Sequence, residues 1–233
     1  TLDDNTGKAK LIISGSTDNT ITGTIDGGAA GEGELEITNS HSAGSDIVSA
    51  VGGVKLRLVD IDDTVNFLST VNATTITIAQ SAIATAASDV TGAIQLTGTA
   101  GQLTLSGSDA TVTGDINALN GTDAGIVSVT GDKVTFAGNL GAVSGTNILT
   151  LAIATGKRAV ITETANFVEQ IDIAGTGELE ISKTVTSGTI ITAAGTTFEA
   201  VDIPATSKIY LPVNLGATET LVLLAGRNVD GIS

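Results

Sequence analysis

Two heptapeptides, Gly31-Glu32-Gly33-Glu34-Leu35-Glu36-Ile37 and Gly175-Thr176-Gly177-Glu178-Leu179-Glu180-Ile181, differ at one position although they lie in opposite halves of the chain. Each ends in an alternation of ionised and aliphatic residues, and a period of two belongs to a strand with one buried face. A second echo pairs Leu11-Ile12-Ile13-Ser14-Gly15 with Leu103-Thr104-Leu105-Ser106-Gly107. After each comes a related stretch, Thr20-Ile21-Thr22-Gly23-Thr24-Ile25 or Thr111-Val112-Thr113-Gly114-Asp115-Ile116. Self-similarity of this kind marks a repeat architecture, in which one unit cannot bury its apolar face alone and neighbours must stack.

The alternation recurs outward from these stretches, at Lys55-Leu56-Arg57-Leu58, Thr75-Ile76-Thr77-Ile78, Lys133-Val134-Thr135-Phe136 and Lys208-Ile209-Tyr210-Leu211. Between such runs lie Gly, Ser, Asn, Asp and Thr, which supply left-handed backbone or cap turns with a side chain. No segment holds a long helical period. The Ala-rich stretch Ser81 to Ser88 is the one place where a short helix competes. Phe136, Phe167 and Phe198 stand 31 residues apart, which suggests equivalent positions in successive units, with Phe67 a fourth instance.

These patterns predict an all-β fold, a right-handed parallel β-helix or β-solenoid of imperfect repeats with roughly 20 to 30 residues per coil. The alternative is an antiparallel β-sandwich, whose strands recur at similar spacing. No linker divides the chain, so residues 1–233 are read as one elongated domain.

Composition narrows the function. Of 233 residues 41% are hydrophobic but only 2% aromatic, so the core is aliphatic. Asp and Glu number 25 against 10 Lys and Arg, a formal net charge of -15, which repels nucleic acid and anionic membranes. Cys and Met are absent, removing disulfides, thiolate metal sites and cysteine nucleophiles. No secretory leader is recognisable at Thr1, and the longest apolar run, Leu221 to Ala225, is too short to span a bilayer. No membrane insertion by this segment is therefore expected, and any export or anchoring signal is expected outside it.

The run from Val134 to Leu151 (Val-Thr-Phe-Ala-Gly-Asn-Leu-Gly-Ala-Val-Ser-Gly-Thr-Asn-Ile-Leu-Thr-Leu) resembles tandem units in autotransporter passenger regions, particularly those of rickettsial outer-membrane surface antigens. Asn166-Phe167 and Val65-Asn66-Phe67 follow the same pattern more loosely, so the likeness covers about half the chain. The resemblance implies a secreted β-helical passenger that coats the cell or mediates adhesion, and it carries over no catalytic residue.

Acidic clusters are the leading site candidates. Calcium collects carboxylate and carbonyl oxygens from loops, so Asp60, Asp62 and Asp63 are the candidates for part of a calcium site, although a solvated acidic edge that keeps the array soluble is the preferred reading. Glu34 with Glu36, and Glu178 with Glu180, stand two apart on strands and share a face, a geometry that glycoside hydrolysis uses. Sugar sites also want aromatic platforms, and the chain has no Trp and one Tyr. His41 has no second His or Cys for zinc, and no Gly-x-Ser-x-Gly elbow accompanies it beside Ser45 and Asp46. Lys157-Arg158 is a short basic island, and Asn72-Ala73-Thr74 and Asn120-Gly121-Thr122 match the N-glycosylation sequon.

The expectation is a non-catalytic extracellular structural or adhesive protein at the cell surface, not an enzyme, with no cofactor beyond possible calcium. It self-assembles or forms part of a larger surface-exposed passenger. Its expected partners are further copies, joined through terminal strands such as Leu221 to Ala225, and a host or neighbouring-cell surface. Alternatives are a carbohydrate-active β-helix enzyme, an S-layer or filament subunit of β-sandwich fold, and an ice-binding solenoid, which needs a regular Thr-x-Thr ladder.

Overall fold

A computed structural model describes residues 1–2, 9–39, 44–119, 124–141, 146–162, 167–174, 176–181, 186–192, 197–200 and 220–223. The strands, in chain order, are β1 (Lys10–Gly15), β2 (Asn19–Ile21), β3 (Glu32–Asn39), β4 (Ser45–Ile47), β5 (Val51–Ile61), β6 (Val65–Phe67), β7 (Val71–Ile78), β8 (Ile83–Ala86), β9 (Val90–Thr97) and β10 (Gln102–Leu105). They continue as β11 (Asp109–Thr113), β12 (Ile116–Leu119), β13 (Ala124–Val129), β14 (Lys133–Phe136), β15 (Ile148–Ile153), β16 (Arg158–Ile161), β17 (Phe167–Ile173), β18 (Glu178–Ile181), β19 (Thr186–Thr192), β20 (Thr197–Ala200) and β21 (Thr220–Leu223). Every pairing between them is parallel, which makes the fold a β-solenoid and excludes the antiparallel sandwich.

The chain alternates between two sheets as it winds. The smaller sheet stacks nine strands in the order β19-β17-β15-β13-β10-β8-β6-β4-β2. The larger follows β1-β3-β5-β7-β9-β11-β14-β16-β18-β20-β21, with β12 lying beside β9. Inward positions form ladders. In the smaller sheet Ile47, Phe67, Ala86, Leu105, Val129 and Ile153 stack in register, so a rung returns about every 19 to 24 residues.

The larger sheet carries two such ladders. One runs Val51, Val71, Val90, Val112, Phe136, Ile161 and the other Leu11, Leu35, Val59, Ile76, Ile94, Ile116. Almost all these side chains are fully buried, and among the described residues the interior is aliphatic apart from Phe67 and Phe136. A void of about 10 Å³ lined by Ile61, Phe67, Ile78 and Leu103 is apolar and no larger than one water, so it stays dry.

The link from the smaller sheet to the larger is a short repeated corner. Ile47-Val48-Ser49-Ala50-Val51, Phe67-Leu68-Ser69-Thr70-Val71 and Ala86-Ala87-Ser88-Asp89-Val90 superpose rung on rung. The Leu68 N–H donates to the Ile47 carbonyl and the Ala87 N–H to the Phe67 carbonyl, both at 2.9 Å. Between the two ladders of the larger sheet lies a glycine column. A Cβ on Gly138 would overlap the Gly114 carbonyl, and a Cβ on Gly114 would overlap that of Gly92. Gly114 also has φ +117°, so only glycine fits there without strain.

Two sequence expectations are corrected. The 31-residue phenylalanine interval is not the coil length: Phe136 and Phe198 lie in the larger sheet and Phe167 in the smaller. Even in the larger sheet, Phe198 pairs with Leu179, whereas Phe136 pairs with Ile161 in the neighbouring column. Ser81 to Ser88 forms no helix. Ser81 takes a left-handed φ of 74° in a tight turn, and Ala84 and Ala86 then sit inward against Val65 and Phe67, where small side chains leave room for the ring.

Candidate functional site

The best-formed cluster of ionisable groups lies at the N-terminal end of the larger sheet. Parallel register sets Glu36 of β3 beside Asp60 of β5. Two residues on, Asp62 is fixed by its N–H, which donates to the Ile37 carbonyl at 2.9 Å. One carboxylate oxygen from each of Glu36, Asp60 and Asp62 lies within 4.8 Å of the others.

The sequence reading named Asp60, Asp62 and Asp63. Asp60 and Asp62 do meet, but Asp63 is outside the group of three, and its Oδ1 accepts the Thr64 N–H at 2.8 Å. Glu36 takes the third place. Its signal was present in Glu34-Leu35-Glu36, but only the coil register reveals that this strand lies against Val59-Asp60-Ile61.

Three carboxylates this close repel one another unless a cation intervenes. Burial, and then the charges of Asp60 and Glu36, raise the Asp62 pKa above the usual carboxylate value, while Lys10 opposes the shift. Lys10 Nζ stands 2.8 Å from Glu36 Oε2, and that hydrogen bond holds the Lys10 pKa above its ordinary value. The Thr77 hydroxyl donates to Asp60 Oδ1 at 2.6 Å. The donor set is all oxygen and suits a hard divalent ion such as calcium, which takes 6–8 oxygen ligands at about 2.3–2.6 Å. Lys10 already supplies one positive charge to the cluster, so any divalent ion competes with a resident ammonium.

The paired carboxylates considered for sugar chemistry are engaged elsewhere. Glu34 Oε1 lies 2.7 Å from Arg57 Nη1, and Glu36 is bound to Lys10. Arg158 contacts Glu180 through Nη2 and approaches Glu178 at 3.9 Å. Lys157 Nζ meets Asp132 Oδ1 at 2.7 Å, a hydrogen bond that lowers the Asp132 pKa. The basic island thus sits within ion pairs between coils.

Asn72 of the first sequon is half-buried in β7. His41, Asp123 and the Asn120 sequon lie outside the described residues, as do Asp3, Asp4, Asp230 and the chain after Leu223. At the N-terminal end of the solenoid a cleft of about 250 Å³ opens beside Leu11, Ile12, Ile13 and Ile21. Among the described residues no helix is long and apolar enough to cross a membrane. No family model, curated protein or solved structure matches the chain.

Proposed function

We propose that the protein is a non-catalytic structural or adhesive component of the cell surface, either self-assembling through its terminal strands or forming part of a larger exposed passenger. The observation that carries this reading is the solenoid itself, whose stacked rungs bury ladders of mostly aliphatic side chains and turn polar and charged ones outward. Such a body is a stiff spacer. Nine strands at about 4.8 Å per rung give a stack of order 40 Å. The carboxylates nearest to an enzyme-like arrangement are held by Lys10, Arg57 and Arg158, which favours a surface role over hydrolysis. The resemblance to autotransporter passenger repeats points the same way.

Terminal strands are the natural joints, because the outer edge of a sheet offers unpaired backbone groups. β1 ends the larger sheet, and its Ile12 is 52% exposed. Negative-stain imaging and light scattering of the purified protein, with and without calcium, test the reading. Rods or longer filaments support it, and Ile12→Lys is expected to shorten them. Release of reducing sugar from cell-surface polysaccharides, lost in Glu36→Gln, would replace it with the enzyme reading.

A further inference from the structure

At the N-terminal end of the larger sheet, Leu2 and β1 lie across the solenoid as a strap. β1 follows β3 in register from Lys10 beside Glu34 to Gly15 beside Asn39, yet only Ile13 of its six residues is buried, whereas every second residue of β3 is. The smaller sheet ends at β2, so among the described residues no rung stands opposite β1, and the cleft of about 250 Å³ opens beside Leu11, Ile13 and Ile21. Leu2 forms one latch: its N–H donates to the Asp26 carbonyl and its carbonyl accepts the Gly28 N–H, both at 2.6 Å. Gly33 leaves the notch for it, since a Cβ there would overlap the Leu2 side chain. Lys10 Nζ, 2.8 Å from Glu36 Oε2, forms another. At the far end Gly15 has φ +131°, and two residues on the Thr17 carbonyl accepts the Asn39 Nδ2 at 3.0 Å, with Asn39 fully buried.

We propose that this strap opens as one unit about Gly15 and thereby gates the end of the solenoid. The gate rests on the assembly reading, whereas the hinge does not. A hinge needs a residue that changes φ and ψ at little cost beside a fixed point, and Gly15 next to the anchored Thr17 supplies both. Local opening is cheapest where few apolar groups are buried, and β1 gives up only Ile13 and the half-buried Leu11 to water. The exposed Lys10–Glu36 pair adds a modest hold. Shut, the sheet ends in β1, whose inner residues face the cleft. Open, it ends in the eight residues of β3, backed by the fully buried Leu35 and Ile37. A bare sheet edge is a template for another strand, so the shut strap is an autoinhibitory contact over the better template.

β3 itself reports the opening. The Glu34 N–H donates to the Ala9 carbonyl and the Ile37 carbonyl accepts the Asp62 N–H, both at 2.9 Å, so alternate residues of β3 turn toward the strap and toward β5. Glu36 and Thr38 share the side of Glu34. Opening as a unit frees these three amides together, whereas fraying from the chain end frees Glu34 first and leaves Thr38, beside the hinge, protected. Ser14 and Thr38 are aligned across the two strands and both lie on the outer face. Neighbouring strands stand about 4.8 Å apart, within the roughly 4.4–6.8 Å that a disulfide spans between Cα atoms, so cysteines at these two positions lock the strap shut. The chain has no cysteine of its own to interfere.

Amide hydrogen exchange of the full chain, read residue by residue by NMR, tests the strap in the wild type, in Lys10→Glu and in Ser14→Cys with Thr38→Cys, oxidised and reduced. Light scattering follows assembly of each. Glu34, Glu36 and Thr38 are expected to share one protection factor, about tenfold or more below that of Ile37. Lys10→Glu sets a like charge beside Glu36 and should lower the three together. The disulfide should raise them to the level of Ile37 and delay assembly, and reduction should restore both. Protection that climbs steadily from Glu34 to Thr38, or equal protection at Glu34 and Ile37, overturns opening as a unit. An oxidised variant that assembles as fast as the wild type overturns the gate and leaves β1 itself as the joint. A chain that opens as a unit yet stays monomeric at every concentration refutes the assembly reading, and the gate with it, while the hinge stands.

Discussion

In the larger sheet β1, β3, β5, β11, β14, β16 and β18 each carry at least one ionisable residue, whereas five successive strands of the smaller sheet carry none. Inside, the two sheets obey one rule, since the described inward positions are apolar, mostly aliphatic, and stack in register. Stacking restricts a position only where its neighbours on the rungs above and below share the same closed space. Outward positions escape that restriction, and there the larger sheet is ionic toward both its ends and uncharged at β7, β9 and β12, while the smaller sheet is uncharged over those five strands and carries Asp46, Glu169 and Asp172 on β4 and β17. The contrast separates what holds the coil together from what the coil displays.

Breaking the shared interior should have the largest effect. Phe136 is 1% exposed between Val112 and Ile161, and Phe136→Ala is expected to cost about 3 to 5 kcal/mol because a stacked ladder cannot collapse into the cavity. Chemical denaturation measures it, and a loss under about 1 kcal/mol would mean that the rungs are loosely packed. Next comes the glycine column. Gly114→Ala puts a methyl group onto the Gly92 carbonyl in a backbone that side chains avoid, so a loss of about 1 to 3 kcal/mol is expected, with a matching fall in Tm.

The ionic surface should respond more weakly, and with a sign that sharpens the contrast. Asp62 has a folded pKa above its unfolded value, so its contribution favours folding most below the unfolded value of 3.8 and diminishes as pH rises through the folded pKa. Asp62→Asn should therefore raise Tm slightly at pH 7, and the gain should vanish near pH 3. Calcium reverses the expectation if the cluster binds it: Tm of the wild-type chain rises with calcium and falls with EDTA, and Asp62→Asn abolishes the response. An identical melt with and without chelator leaves Lys10 as the sole cation that the cluster needs.

Much of this organisation is legible without coordinates, for reasons visible at single residues. Leu35 and Ile37, or Leu103 and Leu105, declare strands because alternation is a local property of an extended chain with one buried face. The repeat of Glu34-Leu35-Glu36 at Glu178-Leu179-Glu180 declares stacking. The even phenylalanine spacing misleads because it does not match the length of a coil, so Phe136 and Phe167 share a chemistry but fall on different sheets. The alanines of Ser81 to Ser88 mislead because helix propensity is weak against a Phe67 ring that needs small neighbours.

The sequence by itself determined the all-β class, the aliphatic interior, the repeat character and the acidic surface, since each follows from composition or from patterns a few residues long. Only the tertiary structure decided which rungs are neighbours, and with that the meeting of Glu36 with Asp60 and Asp62, the departure of Asp63, and the assembly of one uncharged face from five separate strands. Those facts depend on the length of each coil, summed residue by residue through turns of unequal size. No local pattern carries that sum, because parallel pairing is satisfied only when the chain returns to the same place.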